Sequence, residues 1–405
     1  MTATVTEVRQ APPVRRDRVA MGWVAAVAAS AFGDTVWLVA LAWTAVQVLD
    51  PAAAGLVVGV GTLPQAALML TGGVLADRHD PRRVVALGEA GRAAVLVAGA
   101  FAWWADAPPV VVLPGVALAL GAVAGLTQPA LQTMTRLLVR PDDLPTVMGW
   151  TQIGHRLARL AGAPVGAWLV VATGPPATML LNAATFTLVG VVAATVRPRF
   201  ALPRTTSPGL VALREAMHHL WTTPRTRALV LGICGLNVFT APALMLGVPL
   251  RVSETGWSAG WLGGAEAVFA CGAILGSVAA LRWPPRRLAA GGFAALVLQG
   301  VAIALIGVPS KPVLLVATGL LGLTAGLASV WISAAFIATV DPGHLGRISS
   351  VTTLGDLLVL PAAIPLFGAL SGWAGMATAT VTFGVGMSVL CAALATRPSL
   401  RQIRD

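Results

Sequence analysis

The 405-residue chain is 57% hydrophobic and only 11% charged, with a mean hydropathy of +0.81, which excludes a water-soluble domain, a secreted disulfide scaffold and a single-span receptor. The apolar residues fall in many runs of about 20, the length a helix needs to cross a hydrocarbon core of roughly 30 Å, and they do not alternate as the strands of a membrane barrel do. A net charge of +11 points to nucleic acid only if the basic residues are gathered on one soluble face.

The polar segment 1-19 carries Arg9, Arg15, Arg16 and Arg18, and the apolar stretch after it is too long for the h-region of a cleaved signal peptide, so it is expected to stay as the first span. Charged and Pro/Gly-rich breaks then cut the chain into twelve predicted spans, at 20-48, 51-75, 84-104, 110-133, 146-171 and 176-196, then 227-250, 259-281, 288-307, 312-336, 348-371 and 374-395. Segment 197-226 reads as a linker leading into a short interfacial helix. It separates a six-helix half at 20-196 from a second at 227-395, followed by a tail at 396-405.

With the N-terminus inside, 22 of the 27 basic residues fall in the cytoplasmic tails and loops or at their edges, while Arg251 and Lys311 are the two in outer loops. That asymmetry places both termini in the cytoplasm and explains the basic balance without nucleic acid. Cys234, Cys271 and Cys391 all lie inside apolar runs, where they serve as small packing residues and form no disulfide framework.

The two halves repeat each other. LGAVAGL at 120-126 recurs as LGLTAGL at 321-327, Pro141 and Leu144 as Pro342 and Leu345, and Gly154, Leu157 and Pro164 as Gly355, Leu358 and Pro365. One offset of 201 residues relates every pair, which an internal duplication explains better than chance. Two six-helix halves related as parallel repeats are the plan of one large transporter superfamily.

At the end of span two stands GGVLADRHDPRR, residues 72-83. It resembles the loop signature G-x-L-A-D-R-x-G-R-R of the major facilitator superfamily at Gly73, Leu75, Ala76, Asp77, Arg78, Arg82 and Arg83. Asp80 replaces the glycine of the general pattern, which resembles the drug and siderophore exporter branch that includes the enterobactin exporter. ASAFGDTVWLVALAW, PDDLPTVMGW and LARLAGAPVGAW resemble the same branch, so the similarity covers essentially the whole chain. It implies an all-α membrane protein of twelve transmembrane helices, in two pseudo-symmetric six-helix halves of the major facilitator fold. In physical terms Gly73 would let a neighbouring helix approach closely, and Asp77 at a helix end could accept from the N-terminus of another helix. The resemblance puts that partner near Ser349 and Ser350, which would make the motif a cytoplasmic gate. The matching turn GSVAALRWPPRR at 276-287 has no acid.

Asp34, Glu89, Arg92, Arg156, Arg159 and Glu266 fall within spans, with His155 and Asp356 beside them, and an isolated charge there costs about 3 kcal/mol or more. Glu89 and Arg92, spaced i,i+3, can neutralise each other as a structural ion pair, on a helix that the resemblance places outside the bundle. Asp34, Arg156, Arg159, Glu266, Asp356 and His155 are the candidates for proton coupling and the substrate cavity, with Asp34 expected to face the span-five arginines. Span four, cut at residue 133, carries no arginine, unlike the usual drug/proton antiporter. The antiporter glycine/proline motif on span five survives loosely as Gly162, Pro164 and Gly166.

The only lysine, Lys311, precedes Pro312, so no Gly-Lys-Ser/Thr phosphate loop exists and transport must draw on a gradient. No H-E-x-x-H, G-x-S-x-G or Cys/His ligand spacing occurs, which argues against a membrane-embedded enzyme. The sequence therefore predicts a proton-coupled exporter of hydrophobic or amphipathic small molecules, with a siderophore exporter or an uptake permease as alternatives. Trp37, Trp43, Phe239, Met245 and Trp331 on the cavity helices, with few hydrogen-bonding groups, suggest an apolar site. The expected partners are a small-molecule substrate, protons and the lipid bilayer of a bacterial plasma membrane, with no metal or cofactor and no nucleic acid, the protein working as a monomer.

Overall fold

The computed structural model describes residues 17–200, 209–340 and 345–401, and these contain helices and turns with no strand. Arg9, Arg15 and Arg16 of the N-terminal tail, the middle of the linker at 201–208, Pro342 of the repeat and residues 402–405 of the C-terminal tail lie outside the described residues. The helices of the first half are α1 (Arg18–Val48), α2 (Pro51–Val60), α3 (Thr62–Arg78), α4 (Pro81–Trp104), α5 (Pro109–Leu138), α6 (Leu144–Thr173) and α7 (Pro175–Thr195). The linker supplies α8 (Gly209–Thr222), and the second half follows with α9 (Pro224–Pro242), α10 (Val248–Glu254), α11 (Gly260–Arg282), α12 (Leu288–Ile306), α13 (Lys311–Thr339), α14 (Leu345–Ala374) and α15 (Met376–Thr396).

Among the described residues eleven helices are long and apolar enough to cross a membrane, counting α2 with α3 and α9 with α10 as one each. The twelfth predicted span is α6, 30 residues long, whose Gln152, His155, Arg156 and Arg159 interrupt its apolar run. Proline at the first turn starts several helices, because its missing N–H is one the helix cannot bond anyway. Asp50 caps α2 through Ala52 N and Ala53 N at 3.0 and 3.1 Å. Asp80 caps α4 by accepting from Arg82 N at 3.0 Å, so the departure from the general motif is a helix-start signal with its own local reason. A five-residue π turn, Ala243–Gly247, interrupts the path from α9 to α10 just after Pro242, where the proline removes a helix donor.

The contacts cluster into two compact units, Met1–Leu41 with Leu63–Gly209, and Ala42–Thr62 with Leu210–Asp405. In the first unit α4 packs on α5 and α7, and α3 meets α5 where a side chain on Gly72 would strike the Gly125 carbonyl. In the second, α11 packs on α13, α12 on α13 and α15, and α14 on α2 and α9. Gly272 and Gly276 of α11 face Gly319 and Leu323 of α13, and Gly322 and Gly326 of α13 face Phe269 and Ala273 of α11, which is how two membrane helices come into backbone contact. The α3–α5 and α11–α13 contacts are one pairing used twice, as the repeat implies. So are the turns at Gly174 (φ 81°) and Gly375 (φ 86°), 201 residues apart, in a conformation that favours glycine.

Two expectations change. Among the described residues a side-chain carbon on Gly73 would find nothing within 4 Å, and the close approach belongs to its neighbour Gly72. Helical rotation of about 100° per residue turns the two glycines to different faces. Arg251 is no loose outer-loop cation: it lies on α10 at 6% exposure. It donates from Nε to Ile306 O at 3.0 Å, and from its guanidinium to Gly307 O, at the C-terminal end of α12. It also pairs with Glu254 at 3.3 Å. A cation is favoured there by the helix dipole and the unpaired carbonyls.

Candidate functional site

The first unit holds a cavity of about 300 Å³. Val27, Ser30, Ala31 and Asp34 of α1 form one wall, Arg92 of α4 and Val189 of α7 its side. From α5 come Gln128, Leu131, Gln132, Thr135 and Arg136, and from α6 Leu144, Met148, Thr151, Gln152 and His155.

At one side of the cavity the Arg92 guanidinium donates to Asp34 Oδ1 at 3.0 Å and to Glu89 at 3.4 Å. Asn182 Nδ2 of α7 reaches the same Asp34 oxygen at 3.4 Å, and the Phe186 ring lies 3.6 Å from the guanidinium carbon. Arg92 and Glu89 are buried, whereas the Asp34 side chain keeps 44% of its surface exposed. Gly33 makes the arrangement possible, since any side chain there would run into Asn182 and Thr185. The i,i+3 spacing thus pairs Glu89 with Arg92, but the helix turns that pair inward toward α1 and α7. The resemblance places this helix on the outside of the bundle, and its Leu87, Phe101 and Trp104 are exposed while the ion pair faces the interior.

Asp34 accordingly pairs with Arg92 and not with the span-five arginines. Arg156 and Arg159 lie on an exposed face of α6, while His155, one turn from Arg159, lines the cavity and interacts electrostatically with both Arg159 and Asp34. Residues 155 and 156 are neighbours in sequence but about 100° apart around the helix, so only one of them shares Asp34's cavity. In the second unit, Asp356 of α14 stands near Asn237 and Cys234 of α9; the Cys234 thiol donates to Thr352 O at 3.7 Å, and Asp356 Oδ1 is buried without a hydrogen-bond partner. Glu266 is half-buried on α11 of the same unit. Among the described residues no His/Cys/Asp/Glu group has the makings of a metal site.

Gly162 and Gly166 of α6 are buried against α1, with Phe32 O 3.0 Å and Val36 O 2.8 Å from where a side-chain carbon would sit, and Pro164 is carried inside the same helix. The loop motif ends α3 with exposed Asp77 and Arg78, and Arg83 is exposed at the start of α4. Arg82 acts locally, its guanidinium donating to Ala193 O and Ala194 O, the last carbonyls of α7, where a cation suits the helix dipole.

The arginine and the three amides of the wall do not emerge from the sequence analysis. Cutting span four at 133 left Arg136 in a loop, whereas α5 runs on to Leu138 and places Arg136 on the cavity wall. Gln128, Gln132 and Gln152 carry no charge to mark them, although an amide inside a span is a signal in itself. The aromatic residues expected to line the site do not line this cavity: Trp37 is 5% exposed, and Trp331 donates its indole N–H to Ala280 O at 3.0 Å. The wall is mixed rather than apolar, because the hydrophobic face of α1 that carries Trp37 is spent on packing.

The family model of the Major Facilitator Superfamily matches residues 23–360. No curated protein sequence matches the chain. Among solved structures the fold is similar to the nucleoside transporter NupG, at TM-score 0.71 and 15% identity over 93% of this chain and 98% of that one. It is also similar to a D-xylose–proton symporter, at 0.69 and 13% over 93% and 96%. A third is the human organic anion transporter MFSD10, at 0.64 and 18% over 95% and 100%. At these identities the likeness is one of fold.

Proposed function

The chain belongs to the Major Facilitator Superfamily, and on that premise we propose that it is a proton-coupled exporter of amphipathic small molecules, of the drug and siderophore exporter branch. It is a membrane transporter and not an enzyme. The observation that carries the coupling is the position of Asp34, 44% exposed on the cavity wall yet held at 3.0 Å by Arg92, which also holds buried Glu89. Two carboxylates share one guanidinium. A proton delivered from the cavity to Asp34 removes one of the two negative charges and leaves Arg92 with Glu89 as a neutral pair, so proton binding exchanges for an ionic contact between α1 and α4. A contact made in one protonation state and absent in the other biases the equilibrium between conformations, as alternating access requires. His155, on the same wall, is the next proton acceptor along the cavity.

The reading supports a monomer in a bacterial plasma membrane with both termini cytoplasmic. The test is efflux from cells lacking their own exporters, with and without a protonophore. Asp34→Asn should abolish gradient-driven efflux while protein level stays near wild type, because Arg92 keeps Glu89. Efflux at the wild-type rate and pH dependence would remove Asp34 as the carrier. Accumulation that rises when the protein is present would reverse the direction and make it an uptake permease.

A further inference from the structure

The polar groups of the cavity divide into those already satisfied within the protein and those that are not. Thr151 Oγ1 donates to Val147 O at 2.9 Å. Thr135 Oγ1 donates to Leu131 O at 3.3 Å and accepts the Trp23 indole N–H at 3.0 Å. Asp34 and Arg92 hold each other. Gln128, Gln132 and Gln152 also line the cavity, and none of the three carboxamides has a hydrogen bond within the described residues. Gln128 and Gln132 are one turn apart on α5, and Gln152 stands on α6 one turn before His155, so the three stand on two helices that both line the cavity. A carboxamide offers two donor hydrogens and a carbonyl acceptor in one plane, and exposed Gln132 and Gln152 with half-buried Gln128 present those groups to whatever enters the cavity.

The charge on the wall narrows the partner. Asp34 and Glu89, both held by Arg92, contribute two negative charges, and Arg92 and Arg136 two positive ones, so the wall carries no net negative charge that would attract a cation, before His155 takes any proton. A lipophilic cation without hydrogen-bonding groups finds no surplus counter-charge there and leaves the carboxamides unmet. Val27, Leu131, Leu144, Met148 and Val189 supply the apolar remainder.

We propose that Gln128, Gln132 and Gln152 form a hydrogen-bonding wall that selects neutral or anionic amphipathic molecules bearing amide, hydroxyl or carboxylate groups, and that this wall excludes lipophilic cations. The inference rests on the reading of this cavity as the substrate site, and deepens it to a substrate class and three specificity-determining residues. A site built to hydrogen-bond a ligand discriminates far more sharply than an apolar pocket does, because the unmet polar groups penalise the wrong ligand.

The test uses the full-length protein in proteoliposomes with an imposed pH gradient and two probes of similar size. Chloramphenicol is neutral and carries an amide and two hydroxyls, whereas tetraphenylphosphonium is a cation without a hydrogen-bonding group. Wild-type protein should bind and transport chloramphenicol and leave tetraphenylphosphonium behind. Replacing all three glutamines by the isosteric methionine should weaken chloramphenicol binding about tenfold or more and relax discrimination against the cation. The single Gln132→Asn variant, which keeps a shorter amide, should sit between. Transport of tetraphenylphosphonium in preference to chloramphenicol, transport of neither probe, or an unchanged preference in the methionine variant would overturn the proposal. The cavity reading has its own arm: a Gln132→Cys variant labelled with a maleimide should lose transport of every substrate, and full transport after complete labelling would overturn the site itself.

Discussion

Arg92 holds two carboxylates inside an apolar bundle, Asp34 at 3.0 Å and Glu89 at 3.4 Å, with the Phe186 ring against its guanidinium. The two acids differ in what their loss would leave. Asp34→Asn keeps a buried guanidinium paired with Glu89, whereas Arg92→Leu strands Glu89, only 1% exposed, beside a second carboxylate. Removing one partner of a buried ion pair costs about 3–5 kcal/mol, so Arg92→Leu should lower the thermal midpoint in detergent sharply while Asp34→Asn changes it little. Adding Glu89→Gln to Arg92→Leu should recover part of the loss, since the stranded charge is gone, and the two single variants with the double make a thermodynamic cycle. Equal midpoints for Arg92→Leu and wild type would mean that water, not Arg92, satisfies the two acids.

Small residues recur every fourth position along α6, at Gly154, Ala158, Gly162 and Gly166, and this spacing keeps them on one helix face. That face lies on α1: where side-chain carbons would stand, Gly154 meets Ala28 Cβ at 2.9 Å, Gly162 meets Phe32 O at 3.0 Å and Gly166 meets Val36 O at 2.8 Å. The glycine/proline motif is thus, in this unit, the surface that lets α6 approach the helix carrying Asp34. Gly166→Ala should force two backbones apart, at a cost of about 1–3 kcal/mol, and should reduce efflux by moving Asp34 relative to its cavity. Gly149 supplies the control on the same helix, with nothing within 4 Å, so Gly149→Ala should be neutral or slightly stabilising through helix propensity. The same contrast separates Gly72→Ala, which meets the Gly125 carbonyl, from Gly73→Ala, which meets nothing. Thermal midpoints and efflux rates of the four variants check both pairs. Equal effects within each pair would show that helix propensity, and not the close approach, governs these positions.

The spans and the repeat were legible because apolar length and a constant offset are properties of the sequence itself. Gly154 meets Ala28 of α1 and Gly355, its repeat partner, meets Cys234 of α9 at 2.7 Å, so matched letters became matched contacts. The partner of Asp34 was not legible, because it depends on how far each helix is rotated about its axis, and spacing along α4 fixes Arg92 relative to Glu89 only. The path of the chain between its two compact units was hidden for the same reason: residues Ala42–Thr62, early in the sequence, belong with the second unit. There α2 lies against α14, with Gly55 2.9 Å from Ile364 O and Gly59 3.3 Å from Leu360 O at their side-chain positions, and with Gly368 of α14 against Pro51 O. Contacts this close cannot be filled by lipid without leaving the glycine groove and its backbone groups poorly packed. A fragment of residues 205–405, which contains the whole second six-helix half but lacks α2, should therefore aggregate or be degraded when expressed alone. Co-expression with residues 1–204 should restore it, the two pieces co-purifying with a thermal midpoint near that of the intact chain. If residues 205–405 alone are monodisperse in detergent and melt as the co-expressed pair does, α2 is a passenger on α14 and the unit boundary within the second span carries no energy.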